Sequence, residues 1–403
     1  MNPETTNSYN KKSVTDIQVS GKKVLLRCDF NVPLDKATGK ITDEGRIIAA
    51  LPTIRYLLEN GAAVIACSHF GRPKGEFKPD FSLAAVAENL SKHLGQPVKM
   101  AKDVVGPDAT KLAEELKPGE VMLLENTRFH KEEEKNDPEF SKKLAGMADV
   151  FVSDAFGSAH RAHASTEGVS HFLPAVSGFL LKKELDYIGG AISNPKRPLV
   201  TILGGAKVSD KLGVIGNLLK IADSIIIGGG MAYTFVKAEG GKIGKSLCED
   251  GEIEAVLKMK EEAGKRGVKL LLPLDSLAAS EFSNDAEAVT VDSDAIPDDM
   301  MALDIGPRAV DEFIREIAGA GTIVWNGPMG VFEFPKFAEG TRAIANVVAN
   351  SGAVSVIGGG DSAAAVRKFG LEDKITHIST GGGASLEFME GKTLPGIACL
   401  LDA

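Results

Sequence analysis

A chain of 403 residues, 43% of them apolar, carries more hydrophobic material than one ordinary core uses, so two domains are expected. Its formal net charge of −9 argues against a general nucleic-acid binder. No apolar run reaches the roughly 18 residues of a membrane-spanning helix, and residues 1–13 are polar rather than signal-like, so a soluble cytoplasmic protein is expected.

Residues 1–20 form a polar lead-in. Residues 23–28 (KVLLRC) read as the first strand. A helical pattern follows over 44–60, with Ile47, Ile48, Leu51, Ile54, Leu57 and Leu58 on one face. Pro52 falls inside it, where it predicts a kink. A strand over 63–67, a long loop over 68–81 and a helix capped by Ser82 come next. Another strand–helix pair leads to a strand over 121–124, and a further strand covers 150–153. Such alternation predicts a parallel sheet covered on both faces.

Residues 178–192 (GFLLKKELDYIGGAI) predict a single helix running into Asn194-Pro195-Lys196-Arg197-Pro198, whose two prolines mark the expected domain boundary. Beyond it, strands are expected over 199–204, 224–228, 268–272, 288–291, 322–325, 353–357 and 376–379, with helices between. The expected fold is α/β: two doubly wound, Rossmann-like parallel-sheet domains joined by a helix and hinge. The divisions fall at 1–182, a helix end and linker at 183–198, 199–392, and a tail at 393–403. The tail's apolar residues 394–401 (LPGIACLL) are expected to pack back on the first domain. Cys28, Cys67, Cys248 and Cys399 lack zinc spacing and read as free thiols of a reducing compartment.

The two halves carry different chemistry. In the first, Asp29, Asn31, His69, Arg72, Arg128 and Arg161 follow strand ends, and Arg46 opens the first helix. Ligands of open α/β sheets sit at the carboxyl ends of strands, and guanidinium forks suit phosphate and carboxylate, so a clamp for a small anion is expected there. Each arginine alone would read as a surface ion-pair partner. His160 and His163 lack the helical spacing and glutamate of a zinc hydrolase.

In the second half, four strand–glycine–helix units recur at 199–210, 224–233, 353–365 and 376–386. One such turn is usually a tight connection. Four together, one ending in Asp361, predict a crevice for a polyphosphate, with backbone N–H groups facing the anion and the carboxylate holding a divalent cation. Lys207 and Lys211, four apart, are expected on one helical face toward that crevice. The sequence Gly358-x-Gly360-x-x-Ala363 approaches a dinucleotide fingerprint but lacks its acidic partner on a following strand. Gly244-Lys245-Ser246 mimics the end of a P-loop, but Glu239 stands where that motif needs glycine.

Residues 27–33 (RCDFNVP), 68–73 (SHFGRP), 124–130 (LENTRFH), 154–164 (DAFGSAHRAHA), 204–211, 228–235, 325–333 (WNGPMGVFE), 358–361 and 380–384 together resemble the phosphoglycerate kinase family, in its order and over nearly the whole chain. The resemblance implies that Asp29, Asn31, Arg46, His69, Arg72, Arg128 and Arg161 hold the phosphoglycerate. It places Lys207, Lys211, Gly229, Asn326, Pro328, Glu333, Gly358, Gly359, Gly360, Asp361, Ser362, Gly381, Gly382 and Gly383 around ATP or ADP and its Mg²⁺, with Asp361 as metal ligand. Arg46, Lys211, Gly359 and Gly382 are its implied catalytic groups. Ser362 stands where threonine is expected, residues 274–282 (LDSLAASEF) are more degenerate than usual, and 1–12 look like an added lead; none is expected to touch the chemistry.

The implied reaction is the reversible transfer of the acyl phosphate of 1,3-bisphosphoglycerate to ADP by a monomer that closes about its hinge. The residues agree, because no nucleophile–base pair appears and phosphoryl transfer asks for positioning and charge instead. Two other readings stand beside it. A nicotinamide-dependent dehydrogenase would need the complete fingerprint, and a non-catalytic nucleotide-binding descendant would be expected to lose Arg46, Lys211 or Asp361.

Overall fold

The structure, a computed structural model, describes residues 9–403; the first eight residues of the polar lead-in lie outside the described residues. Contacts divide the chain into two units. One runs to Asp186 and takes in Thr393–Ala403, and the other is Tyr187–Lys392.

The first unit is built on β1 (Lys23–Arg27), β2 (Ala63–Cys67), β3 (Val98–Met100), β4 (Val121–Leu123), β5 (Val150–Ser153) and β6 (Ala175–Ser177). They form one parallel sheet in the order β3-β4-β2-β1-β5-β6, with Leu25 of β1 opposite Ile65 on one side and Phe151 on the other. Every residue of β2, β4 and β5 is buried, as expected of strands covered on both faces. The helix Gly45–Glu59 covers one face through Ile47, Leu51, Ile54 and Leu57. Ile48 lies off that stripe and is 49% exposed. Pro52 does not end the helix. It is exposed, and the carbonyl it leaves unpaired belongs to exposed Ile48, where water can serve it. Leu394, Ile397 and Leu400 of the tail are buried on this unit. Gly396 N–H donates to the Ala159 carbonyl and Leu401 N–H to that of Ala175, each at 2.9 Å.

The second unit contains β7 (Leu199–Leu203), β8 (Ser224–Ile227), β9 (Lys242–Ile243), β10 (Lys269–Leu271), β11 (Asp275–Ala279), β12 (Val289–Asp292), β13 (Ala295–Ile296), β14 (Met301–Ile305), β15 (Thr322–Asn326), β16 (Val354–Gly358) and β17 (His377–Ile378). Its parallel sheet runs β10-β8-β7-β15-β16-β17. The stretch 288–291, read as one more strand of the alternation, instead forms β12 in an antiparallel sheet, β12-β11-β14. Its V-T-V-D pattern, half-buried and exposed by turns, is that of a strand with one wet face.

The helix predicted over 178–192 runs from Phe179 to Ser193 without a break, widening to a π turn over Leu185–Gly189. The division between the units falls within that turn. The proline-rich segment after it is pinned to the second unit: Thr322 Oγ1 donates to the Lys196 carbonyl at 2.8 Å, and Gly321 N–H to that of Pro198 at 2.9 Å. No helix among the described residues is long and apolar enough to cross a membrane.

Candidate active site

In the first unit, the polar residues singled out by sequence follow the carboxyl ends of β1, β2, β4 and β5, beside the position where the strand order reverses. Arg46, in the first turn of its helix, donates to Asp29 Oδ1 and to the Asn31 carbonyl, each at 2.9 Å. Asn31 Oδ1 accepts from Gly71 N–H, and Arg128 Nη1 donates to the Gly71 carbonyl, again at 2.9 Å each. Gly71 thus ties two site residues together. Its φ of +56° and the Phe81 ring, 2.4 Å from where a Cβ would stand, require glycine. Arg72 is exposed on the same loop, and Arg161 Nε donates to His160 Nε2 at 3.2 Å.

Positive charge here exceeds its local compensation. Arg128 is 9% exposed, and its buried Nε has no hydrogen bond, only a 3.7 Å ion pair with Glu134. Burial, with Arg27, Arg128, Arg46 and His163 around it, holds His69 well below the usual imidazole range. Burial and the repulsion of Arg128, Arg27 and Arg161 bring His163 down to about 4. Such a cluster is complementary to a small multivalent anion.

In the second unit the glycine turns pack backbone against backbone. A Cβ on Gly204 would stand 2.0 Å from the Pro328 carbonyl oxygen, and one on Gly229 would stand 2.6 Å from the Gly205 nitrogen. Beside them opens a cavity of about 370 Å³. Of the expected nucleotide residues, Gly229, Pro328, Glu333 and Asp361 line it. Sequence reasoning missed its apolar wall of Leu247, Phe282, Met301, Leu303 and Val331. Phe282 closes the stretch 274–282 that was expected to stay away from the chemistry, and Lys245 of the rejected P-loop mimic also reaches the wall.

Lys211, Asn326, Gly358 and Gly359 form a second group. Lys211 Nζ donates to Asn326 Oδ1, and a Cβ on Gly358 or Gly359 would stand 3.3 or 3.2 Å from Asn326 Nδ2. Burial brings the Lys211 ammonium down to about 8, against the opposing pull of Asp210, Asp361 and Glu390. Lys207 is exposed, and the two lysines do not share a helical face. Residues Ser209–Lys211 form a 3₁₀ turn and the α-helix begins at Leu212, so the four-residue spacing has no α-helical meaning.

Gly360 opens the helix Gly360–Lys368, and Asp361 stands exposed in its first turn. Ser362 faces inward: fully buried, its Oγ accepts the Gly327 N–H at 2.6 Å and fastens the turn after β15 to that helix. Gly381 N–H donates to Ser379 Oγ at 3.1 Å, Gly382 has a φ of +47°, and Gly383 opens the helix Gly383–Met389. Among the described residues no group of three or more His, Cys, Asp or Glu could hold a metal. One exposed carboxylate at a helix N-terminal turn fits Mg²⁺, which takes most of its oxygens from phosphates and water.

The sequence profile of phosphoglycerate kinase matches residues 14–392. The chain belongs to the phosphoglycerate kinase family. It is 57% identical over 398 residues to the phosphoglycerate kinase of Clostridium tetani, covering 98% of this chain and 99% of that protein. It is also 57% identical over 396 residues to that of Prosthecochloris aestuarii, covering 97% and 100%. The solved phosphoglycerate kinase of Coxiella burnetii superposes with a TM-score of 0.91 at 44% identity, over 96% of this chain and 98% of that one. That of Pyrococcus horikoshii superposes at 0.78 and 36%, with the same coverage. Membership of this family makes the chain an enzyme, a kinase of glycolysis.

Proposed function

We propose that this chain catalyses the reversible, Mg²⁺-dependent transfer of the acyl phosphate of 1,3-bisphosphoglycerate to ADP, giving 3-phosphoglycerate and ATP in the cytoplasm, as a monomer. The observation that carries the reading is the division of chemistry: a cluster of under-compensated cations in one unit, and in the other a cavity with an exposed carboxylate on its wall together with a half-buried lysine held by Asn326. The first suits phosphoglycerate, whose carboxylate and phosphate match Arg46, Arg72, Arg128, Arg161, His69 and the Asp29–Asn31 loop. The second suits a nucleotide, its base against the apolar wall and its phosphates toward Lys211, Gly359 and Gly382.

The attacking oxygen belongs to a group already ionised, a carboxylate or a phosphate, so no general base is needed. Arg46 and Lys211 meet the charge on the equatorial oxygens of the moving phosphoryl group, and the glycine turns let backbone N–H groups approach it. Asp361 would hold the Mg²⁺, which supplies neutralisation of the nucleotide phosphates when bound. Because the two clusters belong to different units, transfer requires the ligands to be brought together by motion about the π turn and the segment that follows it.

A coupled assay tests this: purified protein, ATP, Mg²⁺ and 3-phosphoglycerate should give an acyl phosphate consumed by an added dehydrogenase. No turnover with folded protein, or turnover independent of 3-phosphoglycerate, overturns the reading.

A further inference from the structure

Arg27, the last residue of β1, is 1% exposed and has no place in the site as drawn above. Its Nη2 lies 3.2 Å from His69 Nδ1, its Nε donates to Ser165 Oγ at 2.8 Å, and its Nη1 donates to the Cys28 carbonyl. Ser165 Oγ in turn donates to Glu133 Oε1 at 2.5 Å, and Ser165 N–H to Glu133 Oε2 at 3.1 Å. Glu133 is fully buried, so bulk solvent does not reach it within this network.

We propose that Arg27, anchored through Ser165 to Glu133, is a positioning residue that fixes His69 as the tautomer with its proton on Nε2. The inference rests on the reading of the cation cluster as the phosphoglycerate site. A guanidinium has five N–H donors and no acceptor, and it stays protonated. At the Arg27–His69 contact the arginine therefore donates and Nδ1 accepts. An imidazole whose Nδ1 accepts is neutral and carries its proton on Nε2.

The rest of the network allows no exchange of roles. Ser165 Oγ receives the Arg27 N–H and must give its own proton to the carboxylate, so every donor points one way, from Arg27 outward. The charged and titratable groups around His69 are Arg27 on β1, Arg46 on the first helix, Arg128 after β4 and His163 after β5. All four disfavour an imidazolium. His69 thus offers the anion a directed N–H rather than a charge that varies with pH.

The test uses the full chain labelled with ¹⁵N in histidine only, His69 being assigned by its loss in His69→Gln. Two-bond ¹H–¹⁵N spectra should give the Nε2–H pattern for His69, unchanged from about pH 5.5 to about pH 8. An Nδ1–H pattern, or a titration near the ordinary value of about 6.5, overturns the proposal. Ser165→Ala, which frees one arm of Arg27, should mix the two tautomers and raise KM for 3-phosphoglycerate about tenfold, the worth of one good hydrogen bond. KM for MgATP should not move, and kcat should stay within about twofold. A raised KM with an unchanged tautomer pattern makes Ser165 merely structural and also overturns the proposal. A wild-type chain with the expected spectrum but no activity on 3-phosphoglycerate sinks the substrate reading and leaves the tautomer standing.

Discussion

Lys211 and Arg46 differ in surroundings, and so in how they should fail. Burial brings Lys211 from 10.5 to about 8. A lowered ammonium pKa means that below about 8 the folded protein holds a charge it disfavours, and above it the lysine is neutral. Polyphosphate reverses that preference. Nucleotide binding should therefore take up a proton between about pH 8 and about 9, and KM for nucleotide should rise as pH passes about 8. Calorimetry in buffers of different ionisation heat reads the proton; none taken up means that Lys211 meets no phosphate. Arg46, by contrast, is 46% exposed and paired with Asp29. Arg46→Ala should lower kcat by ~10²–10³ while raising KM for 3-phosphoglycerate far less, as expected of a group used mainly in the transition state. Steady-state kinetics with a normal kcat would reduce Arg46 to a binding group. Residues of this kind could be singled out because charges recur together at the strand ends of one sheet, where any one of them alone would read as an ion-pair partner. Ser362 was half legible: its place beside the glycine turn could be read, but not the rotamer that buries its hydroxyl. Phe282 and Leu303 were not legible, since an apolar side chain reads as core until the cavity it faces is known.

At the scale of elements, sequence reading succeeded where strand and helix alternate and missed strands that stand outside that alternation. β1, β2, β7 and β16 are five-residue strands with a largely apolar, β-branched or leucine centre that end in polar or glycine turns, and all were visible. β6, three residues after a turn-rich loop, offers too little pattern, and β11 and β14 of the antiparallel sheet lack the strand–helix alternation that located the rest. The helix that crosses from one unit to the other was visible, but what holds its start was not. Asp154, 1% exposed, accepts the N–H groups of Leu180 at 2.9 Å and Leu181 at 3.1 Å. Burial raises its carboxyl from 3.8 to about 6. In that window the folded chain holds a proton the unfolded chain has released, so this group's contribution to stability falls as pH rises through it. The total is on the order of 2–3 kcal/mol. Asp154→Asn keeps an acceptor for the helix and removes the titration. Urea midpoints measured at about pH 4, 5, 6 and 7 should show a gap between variant and wild type that changes across the window and is flat above it. A gap constant with pH would show that Asp154 does not titrate there.

At the scale of the molecule, the cation cluster belongs to the unit ending at Asp186 and the glycine turns to the unit starting at Tyr187. In-line transfer needs the reacting atoms within roughly 3–3.5 Å of each other. Water must also be kept from the acyl phosphate, which it would otherwise hydrolyse. Both demands would be met by the closure proposed above, and only a pair of ligands could bridge the two halves, so closure should need both. The device available is the π turn Leu185–Gly189, followed at once by Gly190: a turn already departing from α geometry, next to a residue with no side chain to resist a change in φ and ψ. Small-angle X-ray scattering should give a smaller radius of gyration with 3-phosphoglycerate and MgADP together than for the free protein, and little change with either alone. Replacing Gly189 and Gly190 by alanine should leave each binary affinity intact while reducing both that contraction and kcat. A radius equal in all four samples would falsify closure as the step that joins the sites. A variant that contracts less yet keeps full kcat would place the hinge elsewhere in the chain.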